Sequence, residues 1–361
     1  MKRKLGSLII ILVIFVVLVF GFFHFAINKN NNSEWDWKNY PSLGNGPVTF
    51  TYFPISLDKV IDITPLGHLS APGHPIPTDH IYPHTTESAE VRAPADGIIT
   101  EIRYFKNEGT YSVTIAHTNT FKSWLEFSNI SDWILKKANG QERGLDIPVK
   151  AGEIIGKVND ESAPGIDWGV YDKNVTLNLI HPKKYGPYTP HTVCPLEYLS
   201  PELKLLAYNK TYINDYSTPG KKLIANPRCG KIDYDQPGKL VGNWFLKTLS
   251  NPMEDRASEK MISFVYDPGI RSQIKIGIGG TLSISNITNY AVNGNSPDPA
   301  NVSVKSGTII YRLHGDSEFG RESSTATLLV QMINSGKIKV EGFDGYPSNP
   351  QFTSNAKYYT R

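Results

Sequence analysis

Twelve residues near the start of the chain, GHPIPTDHIYPH from Gly73 to His84, hold three of its nine histidines. His74, Asp79 and His80 are residue types that bind zinc, because imidazole nitrogen and carboxylate oxygen are its usual protein ligands. Prolines in and beside this stretch also fix the backbone, so the same side chains could bond nearby backbone groups in a stiff loop. The pattern leaves three interpretations open: a metal site, a rigid polar loop and a polar pocket without metal.

Two related phrases follow this stretch, VRAPADGIITEI from Val91 and VKAGEIIGKV from Val149. Each places a glycine turn between short apolar runs, which lets a strand bend into a second sheet. Biotinyl and lipoyl carriers share the pairing, but their hairpin with a modifiable Lys beside Met is absent here. With Gly73-His74 and Asp79 ahead of them, the phrases resemble the lysostaphin-type zinc endopeptidases over about residues 66–172. The resemblance implies a barrel-sandwich (duplicated hybrid motif) fold and zinc-dependent cutting of cell-wall peptide cross-links.

The catalytic positions of these enzymes match less well. Their closing strand reads His-x-His, which puts two imidazoles on one face because alternate strand residues share a face. The matching residues here, Ile166–Gly169, offer at most the carboxylate of Asp167. Phe127 and Ser128 stand where a further histidine falls. The resemblance therefore implies that the general-base and transition-state-stabilising histidines are missing, and no catalytic residue is predicted.

The residues that remain could form part of a zinc site. His74, Asp79, His80 and His117 are the candidate metal ligands, and zinc is the cofactor they would hold. Four residues separate His74 from Asp79 where these enzymes usually have three, and His80 would compensate by taking the place of Asp79. His117 ends the alternating strand TYSVTIAH, so its alternative interpretation is the polar end of a core strand. In an active enzyme Asp167 would be the base; otherwise it is an exposed carboxylate at a strand end.

The first 27 residues predict a membrane anchor. Residues 8–27 are apolar except for Gly21 and His24, close to the ~20 residues that a bilayer core requires. The basic residues of MKRK precede them, so the positive-inside rule keeps the N-terminus cytoplasmic and places the bulk of the chain outside. A cleaved signal peptide is the alternative, but its shorter apolar region and small-x-small cleavage site are not found. We expect a single-pass membrane protein whose N-terminal helix has the lipid bilayer as partner.

Composition narrows the class of protein further. The 361 residues are 11% aromatic and 20% charged and include 30 Gly and 25 Pro, which indicates short strands joined by many turns. The net charge of +3 equals that of MKRK alone, so the remainder offers no basic face for nucleic acid. Cys194 and Cys229 are the only cysteines and would be exported, where a disulfide can form; two unpaired thiols are the alternative.

These patterns predict a mostly β chain in five parts. They are a transmembrane anchor (1–27), a tether (28–46), a peptidase-like domain (47–182), a Pro/Gly-rich connector (183–236) and an antiparallel β-barrel or sandwich (237–361). Inside the peptidase-like domain, a strand followed by one short helix is expected, and Asn139-Gly140 should end that helix. Gly242-Asn243-Trp244 is similar to the Gly-x-Trp that closes one end of lipocalin-like barrels. The tryptophan either packs across the end of the barrel without a ligand, or the barrel holds a small apolar ligand.

Two functions from different classes follow. The favoured hypothesis is a non-catalytic, extracytoplasmic protein that binds or positions a cell-envelope polymer or peptide. The alternative is an active zinc endopeptidase that cuts cell-wall or envelope peptides through an atypical site.

Overall fold

The computed structural model describes residues 37–69, 74–159, 165–214, 220–252, 256–270, 272–282, 284, 289–315 and 324–361. Within them the chain is mostly β with few helices, as predicted. Leu43–Arg361 forms one compact unit, and residues 37–42 belong to a second unit. The predicted anchor, residues 1–27, and residues 28–36 of the tether lie outside the described residues. No helix in the described part is long and apolar enough to cross a membrane.

The strands before residue 224 are short and join through turns. They are β1 (Val60–Thr64), β2 (Tyr82–Thr85), β3 (Ala89–Arg92), β4 (Gly97–Phe105), β5 (Thr110–Ala116), β6 (Phe121–Phe127), β7 (Asn129–Ile130), β8 (Arg143–Val149), β9 (Ile154–Val158), β10 (Asp167–Asp172), β11 (Thr192–Val193), β12 (Ile213–Asn214) and β13 (Lys222–Leu223). Two α-helices interrupt them, α1 (Asp132–Ala138) and α2 (Pro201–Lys210). Helix α1 ends at Asn139, whose φ of 47° is left-handed, as predicted for the Asn-Gly stop.

A six-stranded antiparallel sheet in the order β11-β10-β6-β5-β4-β8 is the centre of this part, and a smaller sheet runs β3-β9-β7. Both sheets contribute to one hydrophobic core, which includes Val91, Ile115 and Trp168. The glycines of the two related phrases are required by close packing. A Cβ on Gly97 would lie 2.7 Å from the carbonyl oxygen of Ala116, and one on Gly156 would lie 2.2 Å from the Phe127 ring.

The last part of the chain is a closed barrel, which decides between the predicted barrel and sandwich. Its strands are β14 (Gly242–Leu246), β15 (Met261–Tyr266), β16 (Ile274–Ile278), β17 (Asn289–Asn293), β18 (Thr308–Gly315), β19 (Thr325–Asn334), β20 (Lys337–Asp344) and β21 (Lys357–Thr360). Each strand pairs with the next, and β21 also pairs with β14. Trp244 is fully buried in the barrel core; its Nε1 donates to Leu240 O at 2.7 Å, and the Arg361 guanidinium lies 4.0 Å from its ring.

The segment 183–236 is more than a connector. It contains α2, and Leu196, Leu199 and Ala207 pack into the first hydrophobic core. Cys194 and Cys229 form a disulfide, with Cα atoms 6.1 Å apart, so the interpretation of two unpaired thiols is wrong. The first core ends at residue 232 and the barrel core begins at residue 240. Both lie in the same compact unit, and the five predicted boundaries stay a prediction.

Candidate functional site

Strand register sorts the side chains of the central sheet onto two faces. Strand β10 pairs with β6 so that Asp167 lies opposite Glu126, Gly169 opposite Trp124 and Tyr171 opposite Lys122. The residues between them point the other way, into the hydrophobic core, because successive strand side chains alternate. We use the name polar face for the first set together with two residues from the adjoining segment: His80, Tyr82, Lys122, Trp124, Glu126, Asp167 and Tyr171.

His80 and Tyr82 reach this face because the residue between them is buried. Ile81 forms an antiparallel bridge to Trp168, with N–H to O distances of 3.0 and 2.9 Å in the two directions. Both Ile81 and Trp168 are fully buried. Alternation then places His80 and Tyr82 on the side of Asp167. The histidine-rich stretch therefore lies along the edge of the sheet.

The His80 imidazole lies between two carboxylates. Its Nδ1 donates to Asp79 Oδ1 at 3.0 Å, and its Nε2 lies 3.2 Å from Asp167 Oδ2. The His80 side chain is 6% exposed, against 20% for Asp79 and 29% for Asp167. Burial alone would lower the pKa of His80, but the charges and hydrogen bonds of Asp167 and Asp79 outweigh it and raise the pKa to about 10. His80 is therefore an imidazolium at neutral pH.

Asp79 and His74 complete this cluster. Thr189 Oγ1 donates to Asp79 Oδ2 at 2.5 Å. Burial alone would raise the pKa of Asp79, but the hydrogen bond and charge of His80 and the bond from Thr189 lower it. The His74 ring centroid is 5.4 Å from that of His80. Burial, followed by the charge of His80, lowers the pKa of His74 to about 4, so His74 is neutral at pH 7.

His117 is not part of this cluster. It follows β5 and bonds to the core side of β6: its Nδ1–H donates to Asp96 O at 2.8 Å, and its Nε2 accepts from Ser123 Oγ at 2.8 Å. Its ring also contacts Phe50 edge to face, with centroids 5.3 Å apart. Burial lowers the pKa of His117 to about 4. The structure thus brings His74, Asp79 and His80 together and places His117 on the opposite side of the sheet.

The cluster as arranged does not fit a zinc ion. Zinc requires a lone pair from each imidazole, but His80 Nδ1 bonds to Asp79 Oδ1 and its Nε2 faces Asp167 Oδ2. Both ring nitrogens of His117 are also engaged. Among the described residues, no group of three or more His, Cys, Asp or Glu side chains is arranged to hold a metal ion.

One end of the polar face is covered by the chain itself. The Tyr188 ring stacks on Tyr171 with centroids 5.2 Å apart, and Lys122 Nζ lies 5.3 Å from the Tyr188 ring centroid. At the other end Asp167 keeps 29% exposure, and Trp124 and Glu126 are half-buried. The open part of the polar face is therefore bounded by an indole ring and two carboxylates.

Sequence reasoning named Asp167 in this region but missed Trp124, Glu126 and Tyr82. The signal was present in the alternation of FKSWLEF, where Lys122, Trp124 and Glu126 occupy every second position. It could be used only once the register against β10 was known.

No protein-family model matches this chain, and no curated protein matches it. Two solved structures similar to parts of it are a crystal structure of Helicobacter pylori Csd3 and the antimicrobial peptidase lysostaphin from Staphylococcus simulans. Csd3 is 19% identical with a TM-score of 0.28, over 43% of this chain and 35% of that chain. Lysostaphin is 14% identical with a TM-score of 0.30, over 87% of this chain and 92% of that chain.

The matched region thus spans about a third of the length of the Csd3 chain. Because both TM-scores are low, these likenesses carry no argument about function.

Proposed function

We propose that this protein is anchored in the membrane by residues 1–27 and presents its β-rich part outside the cytoplasm. There the peptidase-like part, residues 47–182 with a duplicated hybrid motif, binds or positions a cell-envelope polymer or peptide without cutting it. Support for the anchor comes from the apolar run after MKRK, and support for the peptidase-like part comes from the order of its sequence motifs.

The observation that carries the proposal is the ion-paired His80. A zinc hydrolase needs neutral imidazoles and an open coordination position for water. Here the imidazole of His80 is held by Asp79 and Asp167 instead. What the polar face still offers is a recognition surface, because Trp124, Glu126 and Asp167 remain accessible at its open end.

The zinc endopeptidase is the second candidate, since the His74 ring centroid lies 5.4 Å from that of His80. In that function His74, with Asp79 or His80, would bind the metal, and Asp167 would be the base. Neutral ligands would require the ion pairs of His80 to break first.

The deciding experiment uses the full-length chain purified in detergent. Its zinc content is measured, and it is incubated with insoluble bacterial cell wall, which is then sedimented and analysed by mass spectrometry for released peptides. We expect the protein to sediment with the wall, to release no peptide and to carry well under one zinc per chain. About one zinc per chain, lost in His74→Ala but kept in the exposed-site control His181→Ala, together with released peptides, would establish the endopeptidase instead.

A further inference from the structure

Helix α2 presents apolar side chains to solvent as well as to the core. Ala207 is fully buried in the first hydrophobic core. Leu205 is 65% exposed, a higher fraction than any other large apolar side chain in the described part of the chain, and Leu206 is 45% exposed. A surface helix normally turns polar side chains outward, so these two adjacent leucines indicate a surface that another body covers.

The exposed leucines lie among cationic side chains. Residues three or four apart are neighbours on a helix, so Lys210 lies next to Leu206, and Tyr208 lies next to Leu205. The Arg228 guanidinium is 5.5 Å from the centroid of the Tyr208 ring and also donates to Tyr208 O. The two leucines therefore have a cation on each side.

These cations are held without carboxylate partners. Lys210 Nζ donates to Val60 O, and Lys222 Nζ on β13 lies 4.0 Å from the Tyr212 ring centroid. Neither they nor Arg228 form an ion pair with a described residue.

The acids beside the helix have partners of their own. Glu197 pairs with Lys204, and Asp58, on the side of Lys210, accepts from Ser56. By sequence, residues 203–228 contain five Lys or Arg and one acid, a net charge of +4, whereas all residues after MKRK sum to zero. Positive charge is thus concentrated around α2.

The chain enters its compact unit beside this helix. Phe50 N donates to Tyr198 O at 2.7 Å, and Ser200 N, one residue before α2, donates to Phe50 O at 2.9 Å. The proposed anchor ends at residue 27, and the compact unit begins at Leu43. The residues between them span at most about 50 Å, so α2 is within reach of the bilayer that holds the anchor.

From these observations we propose that α2 docks on the surface of that bilayer. Leu205 and Leu206 insert among the lipid headgroups, and Lys210, Lys222 and Arg228 contact the phosphates of anionic lipids. Apolar side chains flanked by basic ones are typical of segments that lie in a membrane interface, and each Lys or Arg near an anionic surface adds to the binding. The inference rests on the proposed function, because the anchor supplies the membrane.

The test separates docking from anchoring. A protease site is inserted in the tether between residues 32 and 33, and the full-length protein is reconstituted into vesicles of phosphatidylcholine, with or without phosphatidylglycerol. The tether is cut, the vesicles are sedimented, and the cut protein is measured in pellet and supernatant. We expect it to stay with the anionic vesicles at about 0.01 M salt, to leave the neutral ones, and to leave both at about 1 M salt, where screening is strong.

Three variants connect retention to the helix. Leu205→Ser combined with Leu206→Ser should lower the affinity of the cut protein for anionic vesicles about tenfold, because the inserting side chains are lost. Lys222→Gln should lower it about fivefold. Val304→Ser combined with Ile310→Ser removes two exposed apolar side chains from the last part of the chain. This matched control should be retained as the parent protein is.

Each outcome decides the docking. Equal release of the parent protein from anionic and neutral vesicles overturns it and leaves the anchor and envelope binding intact. Retention that is unchanged in the leucine variant also overturns it, because another surface then holds the protein. Extraction of the uncut chain by alkaline carbonate contradicts the anchor instead. Leucine-dependent rebinding of that chain to anionic vesicles at neutral pH then supports docking, and absence of rebinding overturns it.

Discussion

Replacing Asp167 by Asn tests whether the ion pairs of His80 hold this part of the fold together. The change keeps the size of the side chain and removes its charge. Asp167 Oδ2 lies 3.2 Å from His80 Nε2. After burial, which lowers the pKa of His80, the charge of Asp167 is the largest influence, and it raises the pKa. The variant therefore leaves a buried imidazole with Asp79 as its remaining carboxylate partner.

The sign and size of the effect follow from proton linkage. Because the pKa of His80 is raised from 6.5 to about 10, the folded state binds this proton more tightly than the unfolded chain does. The stabilisation is complete below the unfolded value and is lost as the pH rises towards the folded value. One pKa unit is worth about 1.4 kcal/mol, so the whole shift sets an upper limit of about 5 kcal/mol. Solvent screens Asp167, whose side chain is 29% exposed, so we expect Asp167→Asn to lower the unfolding free energy by about 2 kcal/mol at neutral pH.

The assay is urea unfolding of the full-length chain in detergent, followed by tryptophan fluorescence from about pH 6 to about pH 10. The gap between the parent protein and Asp167→Asn should close at the alkaline end. Glu90→Gln, in an exposed pair with Arg92, should change the unfolding free energy by less than about 1 kcal/mol. NMR titration of the ring nitrogens should give a lower pKa for His80 in Asp167→Asn. A parent protein in which His80 titrates near its ordinary value, or an Asp167→Asn variant as stable as Glu90→Gln, would refute the reasoning.

Three further changes test other parts of the structure. Glu126→Gln should raise the unfolding free energy by about 2 kcal/mol above pH 7 and have no effect near pH 4. The reason is that an acid whose pKa is raised in the folded state destabilises the fold only once it ionises. An equal effect at both pH values in urea unfolding would contradict this. Reducing the Cys194–Cys229 bridge, which spans 35 residues, should lower the unfolding free energy by about 4 kcal/mol, seen as an earlier urea midpoint with dithiothreitol than without it. Arg361→Met should lower the unfolding free energy by about 3 kcal/mol, since it leaves buried Asp235 without its cation; an unchanged thermal midpoint would show that the pair contributes little.

Local patterns predicted much of the fold. The alternation of apolar residues indicated β5 and β6, and Asn139-Gly140 marked the end of α1 because an Asn can take the left-handed φ that a helix stop needs. The turn-rich last third predicted short antiparallel strands, but closure of the barrel depends on the pairing of β14 with β21. These strands are about a hundred residues apart, and no local signal encodes such a contact.

The candidate site was predicted less completely. His74, Asp79 and His80 are close in sequence, so their proximity in space follows from the short loop that carries them. The place of His117 depended on which face of β5 it continues, and its ring bonds to Asp96 O and Ser123 Oγ on the core side of the sheet. Whether His80 is a metal ligand or a cation depended on Asp167, which follows it by 87 positions in the sequence. Only the register of the sheet brings the two side chains into contact.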